Sequence, residues 1–267
     1  MTWAMGIDIG SAYSKGVIIK NFEFVASYIV ISGANYRASA DTIRTELLRK
    51  ANLIQKDLAN IVATGCGADN VYFASQKASD IVCTARGINN VFPQVRTVID
   101  VASQSTRVIR LNGEGIVTNF TVSEKCAAGG GRFIEVIANV LRVSVNDFSS
   151  LAAKSKNPIT FGTGCAVFGE SEAITRISEG TSKEDIAAGA NKALASKISA
   201  LVKKTKLEEP YAICGGGALN NTLIKAIEDE LNTKLLTPPH PQFITALGAA
   251  IIAATSAIPE LSKETQS

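Results

Sequence analysis

Two cysteines stand at places where thiolate chemistry is favoured. Cys126 opens the run CAAGGGRFIEVIANVL, and Cys165 closes TFGTGC and opens AVFGESEAITRI. After Cys126 the apolar residues Phe133, Ile134, Ile137, Val140 and Leu141 fall on one face of a helix. After Cys165, Val167, Ile174 and Ile177 repeat the pattern less regularly. A helix N-terminus has unsatisfied N–H groups and the positive end of the helix dipole, and both favour the thiolate that binds metal. Iron–sulfur clusters usually take four cysteines. Two chains meeting about a two-fold axis would supply four, holding one cluster between subunits. The plainer reading, which spacing alone favours, is that both are small buried hydrophobes.

A second chemical feature is duplicated. Ile7-Asp8-Ile9-Gly10-Ser11-Ala12-Tyr13-Ser14-Lys15 matches Ile99-Asp100-Val101-Ala102-Ser103-Gln104-Ser105-Thr106-Arg107. Each copy reads as a hairpin: an apolar strand ending in Asp, a turn of small and hydroxyl residues, then a base and a second apolar strand. Small residues let backbone N–H groups approach phosphate oxygens. An Asp at a strand end can hold Mg²⁺ through its waters. Gly10, Ser11, Ser14 and Lys15 of the first turn and Ser103 of the second are therefore candidate phosphate contacts, with Asp8 and Asp100 as candidate Mg²⁺ carboxylates. Gly215-Gly216-Gly217 lies at a strand-to-helix junction where backbone can approach a ring or ribose. Taken singly, an Asp-Ile-Gly is a strand end and a Gly triplet is a turn. Their duplication and order point to nucleotide.

The elements that must position these residues follow from periodicity. The first copy continues through a strand at Phe24–Ile31, and the second through Gly115–Val122. Helical patterns cover Ala40–Ala51, Ala127–Val143, Val167–Ser178, Ile186–Lys203 and Leu219–Leu231. Ile54–Val62 leads into a short strand, and Tyr211–Cys214 is a strand running into the Gly triplet. The chain reads as an α/β protein of two similar halves with a boundary near Pro93–Val95. Residues 1–95 carry the first turn; 96–267 carry the second turn, both cysteines and the Gly triplet. The last helix, about 245–254, is apolar on every side and must be buried, against the first half. The tail from Ser256 has little apolar surface and is expected to fray.

Composition narrows the class. The chain has 267 residues, 46% of them hydrophobic and 19% charged, which suits a large core. A net charge of +3 without a basic, aromatic-interleaved stripe gives no case for nucleic acid. Ala246–Ala254 is too short an apolar run to span a bilayer. The opening MTWAMGIDIG is not a signal peptide. Five cysteines without a CxxC pair suit a reducing cytoplasm. Cys66 and Cys83 read as core thiols, Cys214 as a packed strand end, and His240 as part of a Pro-rich turn. Glu170 and Glu172 suit the dipole of a first helical turn.

Together, Gly6–Ser11 with Ser14-Lys15, Cys126–Phe133, Gly164–Glu172 and Gly215–Asn220 resemble the activators of 2-hydroxyacyl-CoA dehydratases. That family includes the ATPase subunits of benzoyl-CoA reductases. The resemblance spans about residues 5 to 255. It implies the fold of acetate kinase, sugar kinases, Hsp70 and actin around a nucleotide cleft. It implies ATP or ADP with Mg²⁺, served by Asp8, Asp100 and Gln104 and bounded by Gly215, Gly216, Gly217 and Asn220. It also implies a dimer with one [4Fe–4S] cluster held by Cys126 and Cys165 of each subunit. Such a protein takes electrons from ferredoxin or flavodoxin and uses ATP to pass a low-potential electron to an acyl-CoA dehydratase or reductase.

This chain departs from the pattern in places. The family's second turn usually reads Asp-Ile-Gly-Gly-Gln-Asp-Ser-Lys. Here Ala102 and Ser103 replace both glycines and Ser105 replaces the second Asp, which would weaken nucleotide grip or hydrolysis. Asp80 and Thr84 stand where Glu and His are common, and Gly130 where Thr is usual. A weakly hydrolysing subunit of a heterodimeric benzoyl-CoA-type reductase is the alternative. A small-molecule kinase of the same fold would leave the cysteine motifs idle.

Overall fold

The computed structural model describes residues 2–123, 129–162, 166–205 and 208–257. Cys126 and Cys165 lie outside the described residues, as does the tail from residue 258. The chain divides into two compact units. The first takes residues 1–95, 111–117 and the described part of 243–267; the second takes 96–110 and 118–242.

In the first unit, β1 (Trp3–Ile9) and β2 (Tyr13–Lys20) are buried over most of their length, so the sheet is covered on both faces there. β3 (Glu23–Ile31) alternates between half-buried and exposed, as an edge strand does. Asn21 and Phe22 turn between β2 and β3 with φ of 49° and 69°. Two successive positive values match the twist of a two-residue hairpin. α1 (Tyr36–Ala51) starts four residues before its apolar period suggests, because Asn35 Oδ1 accepts from Ala38 N at 3.0 Å and caps it. Ala40, Ile43 and Leu47 of α1 pack on Met5, Ile7 and Ile18.

β4 (Leu58–Thr64) and β5 (Gln76–Lys77) complete the sheet, in the order β3-β2-β1-β4-β5. β1 is antiparallel to β2 and parallel to β4. The other face is covered by α8 (Ile244–Ser256), the last helix of the described residues, on which α2 (Asp80–Val91) packs. α8 is rich in Ala and Gly because backbone must approach backbone. A Cβ on Gly6 would sit 2.1 Å from the Ala246 carbonyl oxygen, and one on Gly248 would sit 1.6 Å from that of Cys83.

The second unit repeats the plan. β6 (Thr97–Val101), β7 (Thr106–Leu111), β8 (Val117–Val122), β9 (Tyr211–Cys214) and β10 (Leu235–Leu236) form a sheet ordered β10-β9-β6-β7-β8. β6 is antiparallel to β7 and parallel to β9. Helices α3 (Arg132–Leu141), α4 (Val145–Ala152), α5 (Ala166–Ser178), α6 (Lys183–Lys204) and α7 (Asn221–Leu231) surround it. Phe133, Ile134, Ile137 and Leu141 are the buried face of α3, as the period requires, and meet Phe148, Leu194 and Ile198 in one core. Gly169 of α5 lies against the Phe133 ring, where a Cβ would approach to 2.8 Å.

Each unit thus carries three consecutive strands, a helical connection and a fourth strand parallel to the first. This is the acetate kinase, sugar kinase, Hsp70 and actin type of α/β architecture. α2 and α4 are additions to the elements read from sequence. The helix expected over Leu219–Leu231 splits into a 3-10 turn, Gly216–Leu219, and α7. Among the described residues no helix is long and apolar enough to cross a membrane.

Candidate functional site

Ligands of open α/β sheets gather at the carboxyl ends of parallel strands. β1 and β4 end together in the first unit, with Asp8 in register with Thr64 of β4 and Lys15 of β2. Asp8 is 7% exposed. Its Oδ2 lies 3.2 Å from Lys15 Nζ. Its Oδ1 lies over Gly65, where φ is +86° and a Cβ would come within 2.5 Å of both Oδ1 and the Ile9 carbonyl oxygen. Gly10 and Ser11 form the turn that follows, and Ser11 is exposed. Ser14 is buried, its hydroxyl 2.8 Å from that of Ser32, which donates to the Gly10 carbonyl at 2.6 Å. Ser14 therefore shapes the turn from beneath.

The second unit reproduces this constellation. Asp100 is in register with Cys214 of β9 and Arg107 of β7. It is 2% exposed, and its Oδ2 lies 3.2 Å from Arg107 Nη1. Gly215, with φ +82° and ψ 177°, sits on it as Gly65 sits on Asp8. A Cβ at Gly215 would come within 2.5 Å of Asp100 Oδ1 and of the Val101 carbonyl oxygen, the same distances as at Gly65. Only glycine adopts that backbone region readily. The pairing reveals a second internal repeat, Thr64-Gly65-Cys66-Gly67-Ala68 against Cys214-Gly215-Gly216-Gly217-Ala218. The signal was present in sequence as a strand followed by Gly-x-Gly-Ala, with Cys66 in the variable position.

The second Asp turn is tight. Ala102 N–H donates to the Ser105 carbonyl at 3.0 Å. Gln104 is exposed, and the buried Ser103 hydroxyl oxygen finds no partner among the described residues. A buried hydroxyl without an acceptor marks a place where a ligand oxygen fits. The turn also carries the start of α3. Gly131 N–H donates to the Ala102 carbonyl at 2.9 Å and Arg132 N–H to that of Ser103 at 2.8 Å. α3 has no side-chain N-cap, so the turn's carbonyls cap it instead.

Beyond the Gly triplet, Asn220 caps α7. Its Oδ1 accepts from Leu223 N at 3.1 Å and from the Thr222 hydroxyl at 2.8 Å, and its Nδ2 donates to buried Asn191 Oδ1 at 2.8 Å. Its acceptor capacity is therefore spent within the fold. A groove of about 630 Å³ runs between α6 and α7 beside this network, lined by Asn191, Lys192, Thr222 and Lys225 among others. Gly215 N–H donates to the Pro241 carbonyl at 2.9 Å, fastening the Pro238–Gln242 turn, with exposed His240, to the triplet.

The remaining thiols divide. Cys66 is exposed, not a core thiol, because flanking glycines turn the chain outward at the end of β4. Cys83 is buried, and burial pushes its thiol up to about 12; the Thr64 hydroxyl opposes this and the charges of Asp8 and Asp80 add to it. Cys214 is buried at its strand end. Among the described residues no group of three His, Cys, Asp or Glu side chains could hold a metal ion. Glu172 does more than suit a dipole: its carboxylate accepts the Gly162 N–H at 3.1 and 3.0 Å, three residues before Cys165.

The model of the BadF/BadG/BcrA/BcrD ATPase family matches residues 5–253. The chain is 38% identical over 251 residues to the 2-hydroxyisocaproyl-CoA dehydratase activator of Clostridioides difficile, covering 94% of each chain. It is 38% identical over 253 residues to the (R)-2-hydroxyglutaryl-CoA dehydratase activating ATPase of Acidaminococcus fermentans, covering 94% of this chain and 96% of that one. The solved activator of the 2-hydroxyisocaproyl-CoA dehydratase from Clostridium difficile, with bound ADPNP, superposes with a TM-score of 0.92 at 37% identity. That match covers 100% of this chain and 99% of the other.

Proposed function

The chain belongs to the BadF/BadG/BcrA/BcrD ATPase family, and from that premise we propose that it is an ATP-dependent electron donor to a partner acyl-CoA dehydratase or reductase. The observation that carries the reading is the duplicated Asp–base–Gly constellation, built once in each unit with the same distances.

Asp8 and Asp100 present carboxylates whose outer coordination suits Mg²⁺ waters. Gly10 and Ser11 offer backbone N–H groups to phosphate oxygens, Lys15 adds positive charge, and Ser103 offers a hydroxyl that lacks an acceptor. Gly215, Gly216 and Gly217 let backbone approach the nucleoside, and Gln104 is exposed on its turn to orient a water. Cys126 and Cys165 are the donor set for a metal centre, and two thiolates per chain suit half of a [4Fe–4S] cluster shared in a dimer. Such a cluster supplies one-electron chemistry, with ferredoxin or flavodoxin as the source. The protein is cytoplasmic in this reading.

Mg–ATP hydrolysis by anaerobically purified protein, with and without an acyl-CoA dehydratase of the family, tests it. ATP-dependent activation of the dehydratase is expected, and hydrolysis should fall when Asp8 or Asp100 becomes Ala. Unchanged hydrolysis in both variants would show the site to be elsewhere.

A second reading rests on the second turn. Ala102 and Ser103 add Cβ atoms, and the Ala102 N–H is already spent on Ser105. These features favour a weakly hydrolysing subunit of a heterodimeric benzoyl-CoA-type reductase. Restoring Gly at 102 and 103 and Asp at 105 should then raise ATP turnover.

A further inference from the structure

The two units treat equivalent hydroxyls differently. Ser14 and Thr106 occupy the same position of the duplicated hairpin, one residue before Lys15 and Arg107. The Ser14 hydroxyl meets that of Ser32, and Ser32 in turn satisfies the Gly10 carbonyl through its hydroxyl and the Ala12 carbonyl through its N–H at 3.0 Å. That turn is closed by one residue at the end of β3. In the loop that follows, Gly33 has no heavy atom within 4 Å of an added Cβ.

In the second unit the Thr106 hydroxyl instead donates to the Gly129 carbonyl at 2.7 Å. Ser123, which follows β8 as Ser32 follows β3, accepts from Thr106 N at 3.0 Å through its hydroxyl. The turn's carbonyls pass to α3: Ala102 to Gly131 N–H and Ser103 to Arg132 N–H. Gly130 is wedged between them, where a Cβ would meet the Ala102 and Ser103 carbonyl oxygens at 2.6 Å and Ser105 N at 2.8 Å. Three hydrogen bonds and one glycine contact thus tie residues 129–132 to 102–106. Residue 129 is three positions after Cys126.

We propose that Thr106 is a positioning residue: its hydroxyl locks the first turn of α3 onto the second Asp turn, so that nucleotide at the turn is felt at Gly129–Arg132. The inference rests on the nucleotide reading above. Two of α3's orphan N–H groups have no other cap, so a shift of the Ala102–Ser103 peptide must either carry α3 with it or break two bonds. Thr106 weights the outcome toward carrying it, because its bond to Gly129 holds the segment from the other side.

Amide hydrogen exchange on the full chain, with and without Mg–ADPNP, tests this without depending on any cluster. In the wild type, Mg–ADPNP is expected to slow exchange at the Asp turns and the Gly triplet, and also at Gly131 and Arg132. Thr106→Val keeps the shape and removes the donor. Loss of one such bond should speed exchange at Gly131 and Arg132 about fivefold. It should also abolish their response to nucleotide while the response at Gly215–Gly217 remains. Thr106→Ser should restore both. Protection at the turns without any at 129–132 in the wild type would overturn the proposal and leave the nucleotide reading standing. The same holds if Thr106→Val behaves as wild type. No protection anywhere would overturn the nucleotide reading and the proposal with it. The wild-type comparison decides even where Thr106→Val fails to fold.

Discussion

Four glycines of the second unit separate two costs that usually arrive together. Gly216 has neither a positive φ nor any atom within 4 Å of an added Cβ. Gly180 has φ +84° but open space. Gly217 has an ordinary φ, but its Cβ would press Val101 Cγ1 at 2.4 Å. Gly215 has both, with φ +82° and a Cβ 2.5 Å from Asp100 Oδ1. A single Ala at each position therefore reads strain and overlap in all four combinations. Strain at such φ/ψ costs about 1–3 kcal/mol, and forcing atoms into packed space about 1–3 kcal/mol. Gly216→Ala should then be near neutral, Gly180→Ala and Gly217→Ala intermediate, and Gly215→Ala the most costly, at about 3–5 kcal/mol. With a urea slope of about 2 kcal/mol per M, an intermediate cost of about 2 kcal/mol moves the midpoint by about 1 M. Trp3 is the only tryptophan and lies in the first unit. Circular dichroism is therefore recorded beside fluorescence to follow the second. Equal midpoints for Gly215→Ala and Gly216→Ala would refute the reasoning, as would a larger loss for Gly180→Ala than for Gly215→Ala.

Other outcomes follow from the same geometry. If the proposed cluster is present, anaerobically purified protein should carry about four irons per dimer, and Cys126→Ser and Cys165→Ser should each bleach it; full iron in either variant would remove that cysteine from the ligand set. Alkylation at neutral pH, mapped by peptide mass, should label Cys66 rapidly and leave Cys83 and Cys214 unmodified until the chain unfolds. Asp185 is held at about 2, below its ordinary value, first by the Ser155 hydroxyl, then by Asn157 N–H, the Ser182 hydroxyl and Lys156 N–H. Its contribution is present above about pH 4 and is lost as pH falls toward 2. Asp185→Asn should flatten the stability profile across that interval, and an unchanged slope would argue against these bonds.

What was readable in the sequence was local and periodic. Asp8 and Asp100 stand out because a carboxylate ends an apolar strand twice, at matching distance from a base. The buried face of α3 is legible because Phe133, Ile134, Ile137 and Leu141 keep the helical period. α2 is not: its buried residues include Cys83, Thr84, Ala85 and Gly87, sized to admit α8, and small residues leave little hydrophobic signal. Cys66 was misread because its apolar neighbours belong to β4 while it sits between two turn glycines. The Gly65/Gly215 equivalence needed geometry, since the two copies share only Gly-x-Gly-Ala. Long-range bonds such as Thr106 to Gly129 leave no pattern at all.

The packing of α8 sets an order of assembly. The first unit is built from three stretches of chain, and the last begins at residue 243. On the ribosome, β1, β4 and α2 are made early. Yet Val17, Ile19 and Val62, which share the Gly6 face of the sheet, emerge long before Ala249, Ile251 and Ile252, so the face that α8 closes stays open to water until those residues are made. Exposed apolar surface of that kind invites chaperones and aggregation. The second unit's 118–242 stretch needs only residues 96–110 before it and can condense first. A nascent chain stopped before residue 243 should carry an ordered second unit and an incomplete first one. The first unit becomes whole only after residue 256 has been made, when a helix of Ala and Gly slides against Gly6.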